Sequence, residues 1–204
     1  MKGYVPVVAA MALCTAANAG LVYNNGGPDY LNGNEMTMWT QAEDFMLGSA
    51  TTLTSVDFSM LDTVGGLATW DGSLHWWVYQ DAGGLPGALY ANGSAQNVNA
   101  VFDQNVAGWD FYNFSFDFGG GGVAVAANTT YWLALHAASD WQNRDDLYWA
   151  STAANNTFFG AEDFQNGGVW SSNGVEHSFA LYDIPAPGAF ALLGLAGLVS
   201  RRRR

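Results

Sequence analysis

The sequence predicts an all-β protein, an antiparallel β-sandwich or jelly roll, flanked by one helix at each end of the chain. Several short stretches alternate apolar and polar residues with a period of two, and Gly-rich turns separate them. Between residues 20 and 184 no stretch has the 3.6-residue period of an amphipathic helix. Many short strands without helices are typical of two packed antiparallel sheets.

The individual strands are predicted where apolar residues cluster between turn signals. Asp57 and Ser59 alternate with apolar neighbours, and the run from 112 to 118 alternates strictly. Such alternation is typical of a strand with one buried face. In chain order the predicted strands are 21–23, 42–47, 53–61, 73–80, 112–118, 131–137, 147–151, 157–160 and 177–182.

One predicted strand differs from the others because both of its faces are largely apolar. Trp76 and Val78 lie on one face, whereas His75, Trp77 and Tyr79 lie on the other. Such a strand is central in its sheet, or it has one face in a groove.

The first 19 residues are predicted to form a signal peptide. A positive residue near the start precedes the apolar run 5–17, and Ala17-Asn18-Ala19 has the small-x-small form of a signal-peptidase site. Cleavage after Ala19 leaves Gly20 as the new N-terminus and removes Cys14, the single cysteine. The mature chain then has no thiol for a disulfide or for nucleophilic catalysis.

Residues 20–184 are predicted to form one domain, since they suffice for one substantial core. All 18 acidic residues lie in this stretch, together with Arg144 as its one basic residue. One positive charge against 18 negative charges gives a formal charge of −17. Such a surface repels phosphate backbones, so nucleic acid is not expected as a partner.

Residues 185–204 form a chain end unlike the rest. Pro185 and Pro187 interrupt the preceding chain, and no charge occurs from 185 to 200. As a helix these sixteen residues cover about 24 Å, less than the roughly 30 Å of a bilayer core. A thinner membrane or long arginine stems close that gap. A buried core helix is the alternative, but a helix without a polar face suits a chain terminus poorly. The run is followed by Arg201, Arg202, Arg203 and Arg204.

This tail resembles the PEP-CTERM sorting signal of Gram-negative bacteria, in which a Pro-x-Pro motif, a short apolar helix and an arginine cluster follow one another. The matching residues are Pro185, Ala186, Pro187, the run 188–200 and the cluster from Arg201 to Arg204. The family usually has glutamate between the prolines, whereas this chain has Ala186. The resemblance implies recognition by an exosortase, a membrane cysteine transpeptidase that cleaves near the Pro-x-Pro motif.

The same resemblance implies a precursor that is tethered to the inner membrane and is later released to the cell surface or the exopolysaccharide matrix. The apolar helix inserts in the membrane, and the arginines keep the chain end in the cytoplasm. The prolines keep the cleavage segment extended. The implied partners are signal peptidase, an exosortase and, transiently, the inner membrane.

The domain itself resembles the β-sandwich domains often found in front of such signals. For most of these domains the resemblance implies no assigned activity. The resembling stretches are 43–47, 54–58, 78–87, 131–135 and 178–182.

The sequence shows no catalytic constellation, so we expect a protein that is not an enzyme and has no cofactor. His75, His136 and His177 lie on separate predicted strands, without metal-ligand spacing and without a Gly-x-Ser-x-Gly motif. The neighbouring acids Asp145-Asp146 and Glu162-Asp163 point apart, whereas glycoside hydrolysis needs two facing carboxylates. A hydrolase remains a third hypothesis behind the two given below.

Aromatic residues favour a carbohydrate-binding module as the alternative function. Trp109, Trp141 and Trp170 lie in polar or Gly-rich segments, where exposed rings beside amides and carboxylates would suit a groove for polysaccharide. Anchoring of a core or loop is the alternative role for each ring. A calcium site is the minority alternative for the loop 140–146, which concentrates oxygen ligands. Because the loop lacks EF-hand spacing, a solvated loop is favoured.

The sequence therefore predicts an exported, non-enzymatic protein of the cell surface or matrix, with a signal peptide over 1–19, a β-sandwich domain over 20–184 and a sorting signal over 185–204. A lectin-like module that binds carbohydrate, assisted by calcium, is the alternative.

Overall fold

The computed structural model describes residues 20–153 and 157–183. These residues form strands, turns and loops, and no helix occurs among them. In chain order the strands are β1 (Gly20–Asn24), β2 (Gly33–Glu35), β3 (Trp39–Met46), β4 (Thr51–Asp62), β5 (His75–Asp81), β6 (Pro86–Ser94), β7 (Gln96–Val106), β8 (Trp109–Asp117), β9 (Val123–Val125), β10 (Thr130–His136), β11 (Leu147–Thr152), β12 (Ala161–Phe164), β13 (Ser171–Ser172), β14 (Glu176–His177) and β15 (Phe179–Asp183).

The predicted all-β class is confirmed, since the strands form two antiparallel sheets in a β-sandwich-like fold. The helices predicted for the signal peptide and for the C-terminal tail lie outside the described residues. Within the described residues no helix has the length and apolar character that crossing a membrane requires. Ala19–Ile184 forms one compact unit, and this unit contains both sheets and the core between them.

The first sheet has nine strands, is strongly curled and is built around β4. One edge of β4 pairs with β15 and β11, and the other edge pairs with β8 and β9. Beyond these, β1 pairs with β15 and β7 pairs with β8. The predicted alternation in β4 is observed: Val56, Phe58 and Met60 are buried in the core, whereas Asp57 is exposed on the outer face.

The second sheet has six strands in the order β13-β12-β3-β10-β5-β6. Its strand β5 lies one position from the edge, and both of its faces are packed as its sequence predicts. Trp76 and Val78 belong to the core between the sheets. Trp77 and Tyr79 pack on the outer face against a second cluster that contains Trp132.

Aromatic rings fill the space between the two sheets. Trp76 of the six-stranded sheet contacts Phe118 after β8, with ring centroids 4.8 Å apart. In the curled sheet, the ring centroid of Phe58 lies 5.3 Å from that of Phe114 and 6.0 Å from that of Trp149. Each such pair adds about 0.5 to 1.5 kcal/mol beyond the burial of its apolar area.

The structure differs from the sequence prediction in several strands, and the short strands β2, β9, β12 and β13 are among those not predicted. Strands β6 and β7 were not predicted because their sequence is rich in Asn and Gly, and most of β7 is exposed. Pairing with β5 and β8 outweighs their low strand propensity. The strand predicted at 157–160 is wrong, since β12 begins only at Ala161. Instead, Phe158 stacks over Trp132 with ring centroids 6.2 Å apart, so this segment crosses the outer face as a loop.

Phe58 allows a direct test of the core. We expect Phe58→Ala to lower the free energy of unfolding by about 3 to 5 kcal/mol, because it leaves a cavity among three rings. Phe159→Ala is the matched control, since Phe159 is 58% exposed and its loss is expected to cost within about 0.5 kcal/mol. Urea unfolding of both variants checks this, and equal stability of the two would contradict the assignment of the core.

Candidate ligand-binding groove

The outer face of the curled sheet forms a groove with a cavity volume of about 340 Å³. It arises because every second residue of β4 and β8 faces the core. Of the intervening polar residues, Asp57 and Asn113 are exposed, whereas Ser59 is buried. Strand β15 and the loop after β1 complete its walls. Polar side chains from several strands therefore border one space.

The groove residues are aligned across the sheet by strand register. One row runs over five strands and consists of Asn24, Ala180, Asp57, Ser115 and Asn99, in that order. Five strands are separated by four spacings of about 4.8 Å, so the row is about 19 Å long.

A second row lies beside the first and is displaced from it by two residues on each strand. Ser59 pairs with Asn113, which in turn pairs with Val101. Ser178 extends this row, since its hydroxyl lies 3.4 Å from that of Ser59. The amide of Asn113 is exposed in this row beside the apolar side chain of Val101. The hydroxyls of Ser59 and Ser178 are buried beneath them, so the groove combines polar and apolar surface.

Some polar side chains of the groove form hydrogen bonds within the protein, whereas others have none there. Tyr182 donates a hydrogen bond of 2.8 Å from its hydroxyl to the carboxylate of Asp57. Asn99 and Ser115 have no side-chain hydrogen-bond partner among the described residues. Their donors and acceptors are therefore free to bond water or a ligand.

The electrostatics of the groove are negative. Asp57 is exposed in its middle, and no basic residue lines it within the described part of the chain. Burial, together with the hydrogen bond to Asp57, raises the pKa of Tyr182 above its ordinary value, so its ring stays a neutral phenol. Arg144, the one basic residue among those described, pairs at 3.0 Å with Asp146 instead.

Two of the three tryptophans predicted to bind a ligand lie over the outer face of the other sheet. Trp141 stacks on His136 with ring centroids 4.3 Å apart and also contacts Trp77 at 6.5 Å. Trp170 packs edge-on against Tyr79 at 5.3 Å. Both rings are half-buried, so each keeps part of its surface accessible.

The third tryptophan is not joined to these two. Trp109 begins β8 in the curled sheet, where it pairs with Val106 across the hairpin and is 39% exposed.

The sequence did not predict the groove as a site, although the alternation of Asp57 and Ser59 with core residues was a signal for it. The predicted processing residues lie outside the described part of the chain; they are Ala19, Pro185, Ala186, Pro187, Arg201, Arg202, Arg203 and Arg204.

The structure places His75 and His136 side by side, with ring centroids 6.4 Å apart, whereas the ring of His177 lies beside Trp149 instead. The ring of His75 lies 3.2 Å from the hydroxyl of Ser94, and both ring nitrogens of His136 face backbone carbonyl oxygens. In the loop 140–146, the Asp140 carboxylate accepts a bond from a backbone N–H within the loop. Among the described residues, no group of three or more His, Cys, Asp or Glu side chains is placed to hold a metal ion.

His177 instead forms a fully buried pair with Glu43 of β3. The Nδ1 atom of His177 lies 3.0 Å from Oε2 of Glu43, and the same oxygen accepts a 2.8 Å bond from the His177 backbone N–H. Burial and the nearby charge of Glu176 raise the pKa of Glu43 to about 10, and burial lowers the pKa of His177 to about 3. Although the contact has ion-pair geometry, both shifts oppose charge, so the pair is a neutral hydrogen bond.

The pair is enclosed so tightly that it cannot serve as an open site. A Cβ atom at Gly160 would lie 2.7 Å from the His177 ring and 2.9 Å from Oε2 of Glu43, so only glycine fits there. Oε1 of Glu43 and Nε2 of His177 have no hydrogen-bond partner among the described residues. The pair is therefore structural, and its charge state bears on stability.

Comparison with protein-family models gave no match to this chain, and comparison with curated proteins gave none either. The sequence and the geometry described above therefore carry the functional argument.

The neutral pair predicts how stability depends on pH. The folded-state pKa of Glu43 lies above its ordinary value of 4.5, so its contribution is complete below pH 4.5 and is lost as the pH rises toward 10. The pKa of His177 is depressed, so its contribution is complete above pH 6.5 and is lost as the pH falls toward 3.

We therefore expect Glu43→Gln, which cannot ionise, to flatten the fall in stability between pH 7 and 10. A single such group contributes a slope of up to about 1.4 kcal/mol per pH unit. Glu162→Gln, at a half-buried position of β12, is the matched control and should follow the wild type. Urea unfolding at several pH values measures this, and identical slopes for Glu43→Gln and the wild type would refute the neutral pair.

Proposed function

We propose that this chain is an exported, non-enzymatic protein of the cell surface or exopolysaccharide matrix of a Gram-negative bacterium. The observation that carries the proposal is the order of features in residues 185–204: a Pro-x-Pro motif, an uncharged apolar run and four arginines. The small-x-small site that ends at Ala19 supports it from the other end of the chain. The domain thus lies between a signal peptide over 1–19 and a sorting signal over 185–204.

The route follows from the physical properties of these segments. Signal peptidase removes residues 1–19, and the apolar run holds the precursor in the inner membrane. The arginines remain in the cytoplasm, which leaves the domain on the opposite side of the membrane. An exosortase-type transpeptidase then cleaves near Pro185 and Pro187, and the domain is passed outward.

The character of the domain agrees with this destination. After signal cleavage it contains no cysteine and is strongly acidic, and its last described strand, β15, ends at Asp183. Within the β-sandwich class, a jelly-roll arrangement is part of the proposal. It is supported by the alternation of consecutive strands between the two sheets, as from β3 to β4 and from β6 to β7.

Mass spectrometry of the protein released by native cells tests the route. We expect an N-terminus at Gly20 and a C-terminus close to Pro185, because both the signal peptide and the sorting signal are removed. Exchange of the four arginines for serine should leave the precursor unprocessed, whereas exchange of Arg144 for serine should not affect processing. A released protein that still ends in Arg204 would rule out the proposed processing.

A second candidate function, binding of carbohydrate, is favoured by the two outer faces of the domain. One face presents the groove, and the other carries the half-buried rings of Trp141 and Trp170 beside Trp77 and Tyr79. Hydroxyl and amide groups beside partly exposed rings are the surfaces that sugars use. The two proposals are compatible, since a matrix protein that binds polysaccharide would be retained where it is delivered.

A glycan array probed with the fragment 20–184 tests this second candidate. This fragment contains the complete core, so it carries the contacts on which the described fold depends. We expect binding to at least one polysaccharide, and comparison with and without calcium shows whether the ion assists. Failure to bind any glycan under both conditions would remove carbohydrate binding as a function.

A further inference from the structure

The groove on the curled sheet differs from the aromatic face in the way its binding groups are fixed. Asp57, Ser115 and Asn113 lie on β4 and β8, whose pairing in register extends over eight residue pairs. Sites on paired strands hold their side chains more rigidly than sites on loops. Trp141 and Trp170, in contrast, both lie on loops between strands. The groove is therefore the better preorganised of the two surfaces.

The shape of the groove fits a linear molecule. The row from Asn24 to Asn99 crosses five strands, and the row of Ser59 and Asn113 runs beside it. The first row, about 19 Å long and polar except at Ala180, matches an extended chain better than a compact small molecule.

The chemistry of the lining selects a molecule rich in hydroxyl groups. The amides of Asn99 and Asn113 each offer both donors and acceptors, and Ser115 offers a hydroxyl that does both. The ring of Tyr182 adds one apolar surface at the side of the groove, held by its bond to Asp57. Alternating donors, acceptors and one flat ring match the polar edges and apolar faces of sugar rings.

The charge of the groove excludes one class of sugar polymer. Asp57 stands exposed in the middle of the row, and no basic side chain among the described residues lines the groove to balance it. The acidic domain around it adds long-range repulsion of anions. Polysaccharides that carry carboxylate or sulfate groups are therefore disfavoured, whereas neutral chains are accepted.

We propose that this groove binds one extended, uncharged polysaccharide chain along the rows of Asp57, Ser115 and Asn113. The proposal rests on the proposed carbohydrate binding, and it assigns that binding to the curled sheet rather than to the aromatic face. Hydrogen bonds from the amides and hydroxyls hold the chain, and the ring of Tyr182 packs on one sugar.

Calorimetric titration of the fragment 20–184 with defined hexasaccharides tests the assignment. The probes are neutral hexamers of glucan, mannan and galactan, and an alginate hexamer as the anionic comparison. The groove variant is the double substitution Asn99→Ala and Asn113→Ala. Asn92→Ala is the matched control, because Asn92 is an exposed asparagine on β6 of the other sheet. Trp170→Ala tests the aromatic face, and urea unfolding verifies that each variant is folded.

We expect at least one neutral hexamer to bind, and the groove variant to weaken its binding by about ten-fold or more, since two hydrogen-bonding amides are lost. Asn92→Ala and Trp170→Ala should bind as the wild type does, and alginate should not bind.

Three results would overturn the inference, and they separate its failure from that of carbohydrate binding in general. If Trp170→Ala abolishes binding and the groove variant does not, the ligand lies on the aromatic face. If alginate binds as tightly as the neutral hexamers, the argument from charge is wrong. If the wild type binds no hexamer at all, both the groove assignment and the proposed carbohydrate binding fail.

Discussion

Strand β4 holds the domain together because both of its edges pair with other strands, one face packs in the core and the other lines the groove. Four other strands pair along its edges, which makes it the centre of the curled sheet. On its inner face, Phe58 packs among other aromatic rings of the core. On its outer face, Asp57 and Ser59 line the groove. The two-residue period of one strand thus links core and candidate site, and a shift of register by one residue would destroy both.

The neutral pair of Glu43 and His177 adds a second constraint at the boundary of the core. Both side chains are fully buried, and their shared hydrogen bond joins residues that are 134 positions apart in sequence. A charge on either partner would be unsatisfied there, so the acidic domain retains one carboxyl group in its protonated form. Such an arrangement ties β3 to the strand beside β11 without an ionic contact that salt would weaken.

How far the sequence alone predicts this structure depends on the element. Regular alternation located β4 and β8, because one buried face leaves a strong pattern. The edge strands β6 and β7 leave almost none, since most of their residues are exposed and their pairing is decided by neighbours distant in sequence. The polar residues of the groove are those that alternate with core residues on β4 and β8. Which polar residues meet there depends on the pairing of β4, β7 and β8, which no local pattern encodes. Trp141 and Trp170 lie on loops whose meeting over one sheet could not be foreseen.

The most direct test of ligand binding in the groove is an amide chemical-shift map of the ¹⁵N-labelled domain during titration with a neutral hexasaccharide. We expect the largest changes along the two rows of the curled sheet, at Asp57, Ser59, Asn113 and Ser115, and none in the six-stranded sheet. Changes centred on the loops of Trp141 and Trp170, with the rows of the groove unaffected, would contradict it.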